Sequence, residues 1–156
     1  MAGNIESRLA DMGLKLPNPA APAANYVPFV VTGNQLFISG QLPMGASGIE
    51  YVGRLGDNVT IDDGKAAARL CAINLLAQAN AALGDLDKVQ RLVKLVAFVN
   101  STSDFGDQPQ IVNGASDLMV EVLGDAGRHA RSAVGVANLP FGASVEIEAI
   151  FEISKD

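Results

Sequence analysis

Tryptophan is absent from this 156-residue chain, and cysteine and histidine occur once each. A single cysteine, Cys71, excludes an internal disulfide and suits a reducing compartment; inside a helical pattern it reads as a buried, inert thiol. Cys71 and His129 stand far apart in sequence, which lacks the ligand spacing of a zinc site, so no metal is expected. Cations are scarce too: 11 Lys and Arg face 17 Asp and Glu, net charge is −6, and no basic cluster of even four residues occurs. A nucleic-acid backbone calls for a cationic face, so nucleic acid is excluded as a partner. No apolar run approaches the roughly 18 residues of a membrane span. Glu6, Arg8 and Asp11 interrupt the N-terminus where a secretory leader would be uninterrupted. The expectation is a cytoplasmic protein with no membrane contact.

What is present is apolar but not aromatic. Hydrophobic residues make up 49% of the chain and aromatics 5%, so the core is built of Ala, Val, Leu and Ile. That suits an α+β layer structure. The length fits one domain over residues 1–156, burying roughly two thirds of its extended surface, with residues 1–19 as an N-terminal extension.

Along the chain, Asn4 is placed to cap a short helix through Ile5, Arg8, Leu9 and Met12, which Gly13 and Pro17, Pro19 and Pro22 end. This helix is expected to dock on a hydrophobic edge. Tyr26 to Val31 reads as a strand, Thr32 to Gln35 as a turn, and Leu36 to Gln41 as the returning strand; Ile49 to Leu55 has the composition of a third. Thr60, three residues before Asp63, opens a long amphipathic helix over Ala66 to Leu83 that Gly84 closes, with Asp62 and Asp63 as charges at its positive end. Val89 to Val99 is nearly continuous in apolar residues, the pattern of a buried central strand. Asp107 and Pro109 begin a second helix through Val122, and Gly124 ends it.

The last stretch carries the chemistry. Period-two alternation places Arg131, Ala133 and Gly135 on one face of a strand and Ser132, Val134 and Val136 on the other. After the break at Asn138 to Gly142, Val145, Ile147, Ala149, Phe151 and Ile153 share one face, and Glu146, Glu148, Ile150 and Glu152 the opposite one. Two readings of Arg131 stay open. It either pairs across a hairpin with Glu146 or Glu148, or holds an anion over the small residues beside it.

These residues carry a resemblance. Arg131, Val134, Val136, Leu139-Pro140 and Val145 to Ile150 resemble, without a gap, the C-terminal signature of the Rid (YjgF-like) family of reactive-intermediate deaminases, once labelled L-PSP endoribonucleases. Tyr26, Leu36 to Pro43 with its Ser-Gly-Gln, Leu83 to Val89, Phe98-Val99 and Asp104-Phe105 resemble its other landmarks in order, so the resemblance spans residues 20–154. It implies a chorismate mutase-like β-β-β-α-β-α-β-β fold, a mixed sheet with two long helices on one face. It further implies a homotrimer around a barrel, with sites in clefts between subunits.

The resemblance also implies the site. Arg131 is the clamp for a substrate carboxylate, Glu146 the acid that orients or activates water, and Tyr26, Ser39 and Asn113 line the cleft. An arginine beside Glu146 would lower its pKa. Ala133 stands where the deaminases commonly carry a cysteine whose backbone carbonyl can hold the water, and the loop Gly124 to His129 is longer than the family's short form. His129 is either a solvated loop residue or a local acid or base. The implied activity is cofactor-independent hydrolysis of enamine or imine intermediates of amino-acid metabolism to 2-oxo acids and ammonia. The alternative is a non-catalytic module that binds 2-oxo acids or similar carboxylates.

Overall fold

The computed structural model describes residues 3–155. Its main sheet has five strands: β1 (Phe29–Thr32), β2 (Gln35–Gln41), β5 (Val89–Asn100), β6 (Ala130–Val136) and β7 (Val145–Ile153). They lie in the order β1-β2-β7-β5-β6, antiparallel except for the β5–β6 pair. The parallel pair needs a long crossover. Helix α3 (Gln108–Leu123) supplies it, and helix α2 (Ile61–Leu83) leads into β5 through a single turn at Leu86–Lys88. The α+β class, the mixed sheet and its two long helices are thus as expected, with a short helix α1 (Asn4–Asp11) in front.

The expected third strand over Ile49 to Leu55 does not form. Met44–Gly45 (β3) and Gly48–Ile49 (β4) make a minimal hairpin of their own, and Val52 and Leu55 after it form isolated bridges rather than a ladder. Tyr51 with φ 57° and Gly53 with φ 133° break the extended backbone between them. Likewise β1 begins at Phe29, three residues after Tyr26.

Alternation decides which sheet face meets the helices. Val145, Ile147, Ala149, Phe151 and Ile153 of β7 are buried beneath them, as are Leu92, Leu95, Ala97 and Val99 of β5. Each large side chain so buried contributes about 1.5–3 kcal/mol. Thr60 caps α2 by accepting the Asp63 N–H at 3.1 Å, and Gly84 ends it in the left-handed region at φ 75°. The helix is long and apolar enough to cross a bilayer, yet Ala67, Ala68, Cys71, Ala72, Leu75, Leu76 and Ala79 are buried within the fold.

The two long helices touch at Gly114. A methyl there would lie 2.9 Å from the Lys65 carbonyl carbon and nearer still to its oxygen, a backbone contact that no rotamer relieves. Gly114→Ala is therefore expected to cost about 3 kcal/mol, which for a chain of this size lowers Tm by roughly 6–12 °C. Gly106→Ala, with nothing within 4 Å of the added carbon, serves as the control and should leave Tm unchanged or slightly higher. Equal melting of Gly114→Ala and wild type would contradict so close an approach.

The N-terminal helix is capped from a distance. Asn4 does not cap α1: Gly3 holds the cap position, and the Asn4 and Ile5 N–H groups donate to the Asp87 carboxylate at 2.8 and 3.0 Å. Ile5 and Leu9 are buried, and Arg8 donates to the Val122 carbonyl near the end of α3 at 3.0 Å. Donation from Ile5 and then Asn4 holds the Asp87 carboxyl below its ordinary value. The anchoring it gives is complete above the ordinary value of about 4 and is lost as pH falls through the lowered native value. Asp87→Asn should lower amide-exchange protection across α1 roughly fivefold at neutral pH, about one helix cap, without affecting the sheet. Unchanged α1 protection in that variant would show that apolar packing alone holds the helix.

Candidate functional site

The residues singled out from the sequence assemble into two groups rather than one. Arg131 lies on the edge strand β6, opposite Leu95 in the parallel register, and so points toward the helix layer. There its Nη1 donates to Asn113 Oδ1 at 2.8 Å and Ser116 Oγ at 3.1 Å, and its Nη2 to the Pro109 carbonyl at 3.3 Å. Three of five guanidinium N–H bonds are taken, so the Nε–H and one Nη2–H have no partner among the described residues. A carboxylate accepts such a pair with two parallel bonds. Ala133 shares this face two residues on, half-buried beside Ala97.

His129 is not a solvated loop residue. It is half-buried, with Nε2 2.9 Å from Ser116 Oγ and Nδ1 2.6 Å from the Gly127 carbonyl. Burial, and after it the Arg131 charge, push its pKa below the usual imidazole value against the opposing pull of that carbonyl. Ser116 was not singled out from the sequence. Its position three residues after Asn113, on the same helix face, is the signal that could have found it.

The second group lies on the opposite face of the sheet. Glu146 is paired with Phe98 of β5 and points away from the helices. Opposite Glu148, the β2 register slips between Ile38 and Gln41, so Ser39 and Gly40 form a bulge. A methyl on Gly40 would collide with the Glu146 carboxylate, so the glycine of Ser-Gly-Gln clears the space the acid occupies. Ser39 Oγ donates to the Val27 carbonyl at 2.8 Å, the Tyr26 hydroxyl accepts from the Ala23 N–H at 3.3 Å, and Gln78 of α2 donates to the Ala20 carbonyl at 2.9 Å. These bonds fasten the strap of residues 20–28 over the sheet. Strap, β2, β7 and Phe141 enclose an open, mainly apolar cavity of about 660 Å³ with Glu146 in its wall. Burial, then the neighbouring Glu148, raise the Glu146 carboxyl above the usual range.

The cross-strand ion pair does not form. Strand β5 runs between β6 and β7, and Arg131 and Glu146 point to opposite faces. Among the described residues the ion pair is Arg128 with Asp125 at 3.6 Å. The arginine that would lower the Glu146 pKa is therefore not beside it within this chain. Cys71 is fully buried, burial pushes its thiol well above its ordinary value, and its sulfur lies 3.7 Å from the Val145 carbonyl; it is no nucleophile. Among the described residues no three His, Cys, Asp or Glu side chains gather as metal ligands would.

Comparison with known proteins settles the lineage. The family model "YjgF/chorismate mutase-like, putative endoribonuclease" matches residues 6–151. The chain belongs to this family. Protein TCP17 of Trypanosoma cruzi is 52% identical over 154 residues, 98% of this chain and 96% of its own length. The crystal structure of Atu1372 from Agrobacterium tumefaciens, of unknown function, is 52% identical with a TM-score of 0.91, covering 97% of this chain and 93% of that one. E. coli TdcF with bound serine is 27% identical with a TM-score of 0.63, covering 90% and 96%. The family match begins at Glu6, within α1.

For a YjgF-like chain of this geometry the chemistry divides cleanly. One edge offers a planar cation with two aligned donors, and the other face offers an apolar cavity with a carboxylate of raised pKa. A guanidinium of this kind is suited to an anion, and a carboxylate of raised pKa to accepting a proton.

Proposed function

We propose that this protein hydrolyses enamine or imine intermediates of amino-acid metabolism to 2-oxo acids and ammonia, in sites completed between copies of a homotrimer. The observation that carries the reading is the division of the site: Arg131 with Asn113 on one face, Glu146 with Ser39 and Tyr26 on the other. One chain cannot present both to a small molecule, whereas the β6 edge of one copy facing the cavity of the next would. Exposed apolar side chains on the sheet face away from the helices, Phe37 and Val134 at 37% and 46%, support burial of that face against another copy. TdcF with bound serine, an amino acid bearing a carboxylate, is a relative whose ligand fits such a clamp.

In the proposed reaction Arg131 holds the substrate carboxylate by its two free donors. Water held by Glu146 adds to the imine carbon; as the C–O bond forms and the C=N π pair passes to nitrogen, Glu146 takes one water proton and delivers it to that nitrogen, giving the carbinolamine. Glu146 then takes the hydroxyl proton as the C=O bond forms and delivers it to the nitrogen as the C–N bond breaks, releasing ammonia and the 2-oxo acid. A raised pKa makes Glu146 a stronger base than an ordinary glutamate. Tyr26 and Ser39 hold the strap that walls the cavity.

Imine generated by an amino-acid oxidase or dehydratase should disappear faster in the presence of the protein than in buffer. Light scattering should give about three times the 16.2 kDa chain mass. An unchanged rate would overturn the enzymatic claim, and a 16.2 kDa particle would overturn the shared site. Ala133, in place of the deaminases' cysteine, favours a second reading in which carboxylate binding survives without efficient hydrolysis. Calorimetric binding of 2-oxobutyrate without turnover would select it.

A further inference from the structure

Arg131 is held by a chain of hydrogen bonds whose direction can be worked out from its far end. The Gly127 carbonyl can only accept, so His129 Nδ1, 2.6 Å away, carries the ring proton. His129 Nε2 is then a lone pair, and the Ser116 hydroxyl at 2.9 Å must donate to it. With its one proton committed, Ser116 Oγ turns a lone pair to Arg131 Nη1 at 3.1 Å, while Asn113 Oδ1 accepts the other Nη1 hydrogen at 2.8 Å. Asn113 and Ser116 fix the guanidinium plane from one side, and the Pro109 carbonyl at 3.3 Å fixes it from a second. The free edge of Nε–H and Nη2–H is what these bonds aim.

We infer that Ser116 and His129 are positioning residues for the Arg131 anion clamp, acting as the relay Arg131 to Ser116 to His129 to the Gly127 carbonyl. The inference rests on the reading of Arg131 as a carboxylate clamp. The loop Gly124 to His129, including the 3₁₀ turn Gly124–Gly127, brings the histidine under the strand. Gly127 is itself packed tightly: a methyl there would lie 2.7 Å from the Met119 carbonyl carbon, so the accepting carbonyl is held by backbone contact with α3. A neutral histidine at this place orients the serine without setting a second positive charge beside the arginine.

Conservative and disruptive variants of the full chain separate positioning from mere packing. Ser116→Ala and His129→Leu should bind 2-oxobutyrate about tenfold more weakly in calorimetric titration, the loss of one hydrogen bond to a charged group. Ser116→Thr, which keeps the hydroxyl, and His129→Gln, which can offer an oxygen near the Nε2 position, should stay within about threefold of wild type. Tm should move by no more than about 2 °C in all four. Nitrogen-15 NMR reports the geometry without any ligand. In wild type His129 should show the Nδ1–H tautomer and Arg131 slowly rotating, resolved guanidinium signals, and Ser116→Ala should collapse the latter. If wild type binds no 2-oxo acid but these NMR signatures appear, the proposed substrate fails and the positioning relay stands. An Nε2–H tautomer, unchanged Arg131 signals in Ser116→Ala, or wild-type affinity in Ser116→Ala would each overturn the relay.

Discussion

Arg131→Ala should weaken binding of 2-oxo acids by about 30- to 1000-fold while Tm barely moves. A charge-assisted bidentate contact is worth on the order of 2–4 kcal/mol, which gives that range of affinity. Folding has little to lose, because among the described residues no carboxylate pairs with Arg131. Its partners are Asn113, Ser116 and the Pro109 carbonyl, on the exposed and half-buried face of α3. Arg131→Lys is the sharper variant. An ammonium keeps the charge but has no planar fork, and cannot satisfy Asn113, Ser116 and Pro109 while presenting two parallel donors. Lysine should therefore retain wild-type stability and lose most of the affinity. Wild-type affinity in Arg131→Lys would remove the clamp and, with it, the proposed substrate class.

The faces of the strands were legible in the sequence, but their neighbours were not. Alternation from Arg131 to Val136 and from Val145 to Ile153 predicts which side chains share a face, because a strand's period is a local property. Two strands close in sequence also suggest a hairpin. Here β5 lies between them, since the crossover through α3 sets β6 parallel to β5 and leaves β7 to pair with β2 and β5. That choice is made by burial of the long apolar β5 between two partners, which no local pattern encodes. It is also what sends Arg131 and Glu146 to opposite faces. The Thr60 cap was legible, having donor and acceptor within one turn, whereas the Asp87 cap of α1 was not, its partners lying 82 and 83 residues away. Asn113 was singled out by family resemblance alone, and Glu146 owed its role as the acid, though not its place on the strand face, to the same resemblance. Ser116 and His129 lay outside it, in a helix face and loop that only the folded chain brings under Arg131.

The last expected result concerns the acid. Glu146→Gln should lower the hydrolysis rate at least 100-fold, since a positioned base ordinarily contributes 10²–10⁴ and glutamine cannot take a proton from water. It should leave Tm equal or slightly higher. The sign follows from the raised carboxyl: between the ordinary glutamate value of about 4.3 and the higher native value, the folded chain holds more protons than the unfolded one. Stability therefore declines as pH rises across that window and stays at the lower level above it. Glutamine removes this contribution, so the decline that Glu146 adds across that window should be absent from the variant, and the acid limb of the activity profile should vanish with it. Gly40→Ala tests position rather than presence. Its methyl would displace the Glu146 carboxylate, so the rate should fall comparably although the acid remains, and addition of Glu146→Gln should then cost little more. If Glu146→Gln kept more than about a tenth of the wild-type rate, or if the two losses simply multiplied, Glu146 would not be the base that the cavity is built around.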